Sequence, residues 1–207
     1  MSYYPINIDL KNKRCVVIGG GEVAERKVET LLDFGAAVCV VSPKLTPSLE
    51  RLAAEGRIEH ISGVYSPETL DGALLIIAAT DDTETNRAVS ADAQRLGILV
   101  NVADNPELCT FFVPAMVRRG DLIISICTSG KSPALARRIR EDLESKFGPE
   151  YGELADLLWE LRDKVKAKYP DQADRVHAFV RILDSDVLWL LKQGKRDEAI
   201  ERARKCI

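Results

Sequence analysis

Continuous apolar runs and helical stripes alternate along the first two thirds of the chain. Runs at Arg14 to Ile18, Ala37 to Val41, Ile58 to Ile61, Ala73 to Ala79, Ile98 to Val102 and Leu122 to Cys127 predict strands. The stretch Leu74-Leu75-Ile76-Ile77-Ala78-Ala79 has no polar alternation at all, which suits a strand covered on both faces. Between the runs, apolar residues at helical spacing predict helices over Val23 to Phe34, Pro47 to Glu55 and Thr83 to Leu96. Each is closed by a glycine, at Gly35, Gly56 and Gly97. This alternation implies an α/β fold, a Rossmann-like parallel sheet with helices on both faces.

Beyond residue 110 the pattern changes. Phe111 to Asp121 reads as a connecting segment into the strand Leu122 to Cys127, and Ser132 then caps a helix that has Pro133 at its first position and runs to about Phe147. Everything after Tyr151 reads as helix. Leu154, Leu157, Leu158, Leu161 and Val165 form one stripe, Val176, Phe179, Val180 and Leu183 a second, and Val187, Leu188, Leu190 and Leu191 a third.

Composition narrows the function classes. The 207 residues are 46% apolar, which is ordinary for a folded chain, and 29 basic against 32 acidic residues give a formal charge of -3, without the basic excess of a nucleic-acid binder. The cysteines Cys15, Cys39, Cys109, Cys127 and Cys206 form no Cys-x-x-Cys pair and read as reduced core residues. His60 and His177 stand alone, so no resident metal is expected. No window is long and apolar enough to span a membrane, and the amino terminus lacks a basic segment followed by an apolar stretch; the expectation is a cytoplasmic protein with no membrane partner.

Candidate chemistry begins where the first strand ends. Gly19, Gly21 and Ala24 occupy the small positions of a Gly-x-Gly-x-x-Gly/Ala turn between strand and helix, where glycines allow a tight turn and close approach of a pyrophosphate to helix-start amides. In a parallel sheet, ligands bind beyond the carboxyl ends of the strands. That rule selects Ser42, Pro43 and Lys44 after strand two, Thr80, Asp81 and Asp82 after strand four, and Asn101, Ala103, Asp104 and Asn105 after strand five. The acidic residue that usually holds the ribose is expected about 20 positions past the first glycine, where this chain has Ser42. A serine can bond a ribose hydroxyl and Lys44 tolerates a 2'-phosphate, so the residues alone leave NAD against NADP open. Asp81 and Asp82 directly precede a helix and read first as caps. Asp104 reads as a base or a turn-forming residue. Lys131 lies beside a helix start, where an anion fits, and Arg118, Arg119, Arg137, Arg138 and Arg140 add positive charge around the last strand and its helix.

Taken together, Val17 to Lys27, Ile77-Ala78-Ala79-Thr80-Asp81-Asp82, Val100-Asn101-Val102-Ala103-Asp104, Phe112-Val113-Pro114-Ala115 and Thr128 to Ala136 resemble, in order and spacing, the precorrin-2 dehydrogenases of sirohaem synthesis, including the bifunctional dehydrogenase-ferrochelatases and the amino-terminal half of sirohaem synthase. The resemblance implies NAD-dependent oxidation of precorrin-2 to sirohydrochlorin and, in bifunctional members, insertion of Fe(II). It implies a homodimer and three parts: an NAD-binding domain over 1–112, a dimerisation and substrate segment over 113–148, and a helical domain over 149–207. Carried over by position, Gly19, Gly21, Glu22 and Val23 meet the pyrophosphate, and Ser42, Pro43 and Lys44 the adenosine side. Thr80 and Asn101 complete the cofactor set. Asp104 is the catalytic residue, and Arg118, Arg119, Lys131 and Arg137 meet the carboxylates of the tetrapyrrole. With no methyltransferase module in these residues, precorrin-2 is expected from another chain. The alternative function is a non-catalytic NAD(H)-sensing module, which would usually place an acid where Ser42 stands and has no use for the Asp104 loop.

Overall fold

The computed structural model describes residues 3–207 and divides the chain into two compact units, Met1–Val113 and Pro114–Ile207. In the first unit, the strands β1 (Arg14–Ile18), β2 (Ala37–Val41), β3 (Glu59–Ile61), β4 (Leu75–Ala78) and β5 (Leu99–Val102) form one parallel sheet of order β3-β2-β1-β4-β5. The helices α1 (Glu22–Asp33), α2 (Pro47–Ala54) and α3 (Thr83–Arg95) supply the crossovers, while a short 3-10 turn over Pro67–Leu70 serves between β3 and β4.

The apolar runs are continuous because alternate side chains of one strand enter two different cores. Cys15, Val17, Val38, Val40, Leu75 and Ile77 pack with Ala24, Val28 and Leu31 of α1 and Leu49 and Leu52 of α2. Val16, Ile18, Cys39, Val41, Ile76, Ala78, Val100 and Val102 pack on the other face with Val89 and Ala93 of α3 and Leu70. Strand β1, between β2 and β4, is the hinge of the topology: the chain passes to β2 on one side and later to β4 on the other, so a crevice is expected at its carboxyl end.

The strand over Leu122 to Cys127 does not join this sheet. It forms β7 (Leu122–Ile126), antiparallel to β6 (Ala115–Arg119), a segment that the sequence reads as a connection. Arg119 faces Leu122 across the two-residue loop Gly120-Asp121, and Gly120 takes a φ of 58°, as tight hairpin turns require. Only Val117 of β6 is fully buried, so its apolar signal is weak.

Helices α4 (Pro133–Lys146), α5 (Glu150–Lys168), α6 (Gln172–Leu183), α7 (Val187–Lys192) and α8 (Arg196–Lys205) complete the second unit. Ser132 accepts from the Leu135 amide at 3.2 Å with Pro133 beside it, the cap expected from sequence. The α5 stripe is buried through Leu154, Leu157, Leu161 and Val165. The α6 stripe is only in part the core face: its Phe179, half-buried, packs against the helical core. Ala178 and Ile182, four residues apart, point inward, while Val176, Val180 and Leu183 remain 53%, 42% and 50% exposed. The small Ala178 lets α6 lie close to its neighbours, and size-blind periodicity selects a face turned only partly inward. The cysteines also differ from expectation: Cys15 and Cys39 are core residues whose thiols burial pushes up to about 11, but Cys127 is exposed and Cys109 and Cys206 are half-buried. Among the described residues no helix is long and apolar enough to cross a membrane.

The hairpin and α5 meet backbone to backbone. A Cβ added to Gly152 would lie 2.6 Å from the Arg119 carbonyl oxygen. Gly152→Ala is therefore expected to destabilise the second unit by about 1–3 kcal/mol, the usual cost of overpacking, read as a lower urea midpoint at unchanged slope; an unshifted midpoint would contradict this contact.

Candidate functional site

The carboxyl ends of β1, β2, β4 and β5 are tied together by backbone bonds. Gly19 N–H donates to Val41 O at 2.9 Å, Ala79 N–H to Ile18 O at 2.8 Å and Ala103 N–H to Ala78 O at 2.8 Å. At this junction, Gly19 takes a φ of 122°, and a Cβ there would fall 2.3 Å from the Ala79 carbonyl oxygen. Gly20 is equally constrained, since its Cβ would lie 2.0 Å from Lys44 O. The fingerprint treats that position as variable, so sequence reasoning had no signal for it. Gly21 is the opposite case: nothing lies within 4 Å of its missing Cβ. It precedes α1 in an extended conformation with no side-chain cap, leaving backbone on the open side of the turn. Two glycines let the chain close on itself and the third leaves room for a phosphate to approach. Ala24, fully buried, fills the third small position against the sheet. These residues fit a dinucleotide pyrophosphate, with Glu22 and Val23 exposed in the first turn.

The turn is latched from outside. Thr46 N–H donates to Gly20 O at 3.0 Å, its hydroxyl donates to the Glu25 carboxylate of α1, and the same oxygen accepts from Leu49 N–H at 3.3 Å as the cap of α2. Neither Thr46 nor Glu25 was selected from sequence, because their meeting spans 21 positions. Ser42, nearly buried, donates its hydroxyl to Lys44 O at 2.7 Å and accepts weakly from Lys44 N–H at 3.4 Å. Its hydroxyl proton is thus committed to shaping its own loop. Pro43 and Lys44, on that loop, line a depression of about 430 Å³ with Leu45, Glu50, Ala53 and His60.

After β4, Thr80 donates to Asn86 Oδ1 at 2.9 Å, and Asn86 returns a bond to Thr80 O at 2.9 Å. Asp82 caps α3, accepting from the Glu84 and Thr85 amides at 3.1 and 3.3 Å and from the Thr85 hydroxyl at 2.5 Å. The Thr85 hydroxyl, followed by the Glu84 amide, holds its carboxyl below the usual aspartate range. This is a structural role, as its position before the helix indicated. Asn101, buried at the end of β5, donates to Phe111 O at 3.1 Å. Asp104 follows in an exposed loop with a φ of 58°, left-handed backbone that Asp tolerates better than most residues. Lys27, half-buried on α1, is the charged neighbour the sequence did not single out. Burial, then Arg26, pushes its ammonium below the usual lysine range, while Asp104 and Cys109 oppose the fall.

The four basic residues assigned to substrate lie in the second unit. Arg119 gives its guanidinium to the end of α4, donating to Phe147 O at 2.8 Å and Glu144 O at 3.3 Å. Arg118 donates to Gly120 O at 3.4 Å, at the turn of the hairpin. Lys131 sits past the opposite end of β7, and Arg137 pairs with Glu141 at 3.0 Å on α4. Arg118 and Arg119 thus lie at the turn end of the hairpin, Lys131 just before α4 and Arg137 within it.

The strand order and the glycine turn define a dinucleotide-binding protein of the Rossmann class. Residues 6–115 match the family described as "Putative NAD(P)-binding", residues 119–146 the central region of sirohaem biosynthesis proteins, and residues 150–206 the sirohaem synthase dimerisation region. The chain belongs to the precorrin-2 dehydrogenase and sirohaem synthase family. It is 44% identical to a sirohaem synthase of Chromobacterium violaceum over 98% of its length and 42% identical to that of Thioalkalivibrio sulfidiphilus over 100%. It spans 43% and 42% of those proteins, less than half of each. Among solved structures, it is similar to SirC, a precorrin-2 dehydrogenase, with 28% identity and a TM-score of 0.77, covering 98% of this chain and 100% of that one.

Thr46→Val removes the latch to Glu25 and the cap of α2 together, whereas Thr46→Ser keeps both. The valine variant is expected to lose about 1–2 kcal/mol of stability and to bind NAD several-fold more weakly by calorimetry, with the serine variant close to wild type. Equal affinity in all three would show that the latch does not shape the turn.

Proposed function

We propose that this chain oxidises precorrin-2 to sirohydrochlorin with NAD as the acceptor, within sirohaem synthesis. The observation that carries the reading is the end-to-end likeness to a precorrin-2 dehydrogenase in a chain whose glycine turn is closed inward and open outward. The pyrophosphate rests on the backbone of Gly19 and Gly21 and the first turn at Glu22 and Val23. Pro43 and Lys44 hold the adenosine side, with Ser42 fixing their loop. Thr80 and Asn101 border the site at the ends of β4 and β5. Bound NAD supplies a carbon that accepts hydride. Asp104 takes the proton from a pyrrole nitrogen as the second hydrogen leaves, so the substrate loses two hydrogens as one hydride and one proton. Arg118, Lys131 and Arg137 of the second unit are the residues proposed to meet substrate carboxylates, and Arg119 acts there through the end of α4. The second unit serves as a hairpin segment to about residue 148 followed by a helical domain.

Fe(II) insertion into the product is a second step proposed for the same carboxylate, which would take one of the two pyrrole protons that the metal displaces, the other passing to solvent. Anaerobic absorbance with enzymatically made precorrin-2 tests the first step, and added Fe(II) against a protein-free control tests the second. Asp104→Asn is expected to lower dehydrogenase turnover by about 100-fold or more with NAD affinity unchanged; full turnover would place the base elsewhere.

The exposed row Val176, Val180 and Leu183 lies within the residues that match a dimerisation region. A second copy of this chain is the occupant proposed for it, in place of the dimer contact expected over 113–148, since three apolar side chains at spacings of four and three residues make one face of a helix. Light scattering should give a dimer for the wild type and a monomer for Val180→Glu with Leu183→Glu. A dimer in the doubly charged variant would move the interface to another surface.

A further inference from the structure

Asp104 is the residue on which the functional reading turns, and its loop is held by something other than its own side chain. On one side of it, Val102 N–H donates to Cys109 Sγ at 3.2 Å, and Asn101 Nδ2 does so at 3.6 Å. The thiol faces two acceptors, Val102 O at 3.4 Å and Asn105 O at 3.3 Å, one before Asp104 and one after it. A thiol has one proton, so it bonds one carbonyl at a time and lies close to the other. Burial keeps Cys109 above the usual thiol range, opposed by the Val102 amide and by Lys27, and hence in the protonated form that can donate. Between these anchors, Asp104 adopts a φ of 58°. That left-handed backbone is uncommon for a non-glycine residue, and the bonds on either side of Asp104 help to hold it.

We infer that Cys109 is a positioning residue for Asp104: its sulfur bridges the two ends of the Val102 to Asn105 loop and fixes the direction in which the carboxylate leaves the sheet. The inference rests on the proposed role of Asp104 as the proton acceptor. The thiol touches no substrate and performs no chemistry; it sets geometry, to which proton transfer is sensitive at the scale of an ångström. A serine at this position keeps one donor and one acceptor. Alanine and valine keep neither, and valine keeps the volume filled.

The test uses the full chain in the anaerobic precorrin-2 assay. Cys109→Ala and Cys109→Val are each expected to lower kcat by about tenfold with the KM for NAD unchanged, and Cys109→Ser to recover most of the loss. Either of the first two suffices if the other does not fold. Each is also combined with Asp104→Asn, where the cysteine substitution should produce no further fall. Three results overturn the inference: wild-type kcat in Cys109→Val or Cys109→Ala, a serine variant as slow as the alanine, or an undiminished tenfold fall on the Asp104→Asn background, which would mark a general effect on the fold. Full activity of Asp104→Asn overturns the functional reading and, with it, the role of Cys109. An inactive Asp104→Asn beside a fully active Cys109→Val overturns this inference alone.

Discussion

The contact between Gly19 and the carbonyl of Ala79 sets how closely the first and fourth strands can end together. With a Cβ position only 2.3 Å from that oxygen, no other residue keeps both the φ of 122° and the bonds from Gly19 to Val41 and from Ala79 to Ile18. Were the two strand ends to part, the crevice at the switch of strand order would lose its floor. The sheet beneath is buried on both faces, so it has little freedom to take up such a shift.

Around this contact, the first unit divides its labour between backbone and side chains. The turn proposed to face phosphate is almost wholly backbone, with glycines at 19, 20 and 21. The side chains nearby are turned to holding loops: Ser42 to its own loop, Thr46 to Gly20 and Glu25, Asn86 to Thr80 and Asn101 to the segment at Phe111. Ser42 and Asn101, which sequence reading would offer to a ligand, thus each have a protein partner. The second unit shows the same economy, where Arg119 satisfies the last carbonyls of α4.

Much of the first unit was legible from the chain because strands buried on both faces carry long apolar runs and each of its three helices is followed by a glycine of positive φ. The cap at Asp82 and the helix start at Ser132 were equally local, set by residues within a turn of each other. The site was legible only in outline. Gly20 sits at a position that the fingerprint leaves free, and the pairing of Thr46 with Glu25 joins separate elements. Strand β6 was hidden because two of its five residues are arginine and just one is fully buried. The inward face of α6 was read only in part because the small Ala178 carries less apolar bulk than Val176 and Val180 in the row that stays outside. What was missed depends on close approach and on side-chain size, neither of which periodicity records.

The open side of Gly21 bears on how a cofactor is retained without an acid at the end of β2. A flexible loop that orders around a ligand gives up conformational freedom at that moment, and part of the contact energy is lost to it. Here the glycine turn is cross-linked to β2, β4 and the cap of α2 by hydrogen bonds of the chain itself. Less ordering is left for association to impose, and a larger share of each amide-phosphate contact survives as affinity. The bonds that hold the turn thus act where a carboxylate at the end of β2 would otherwise add affinity.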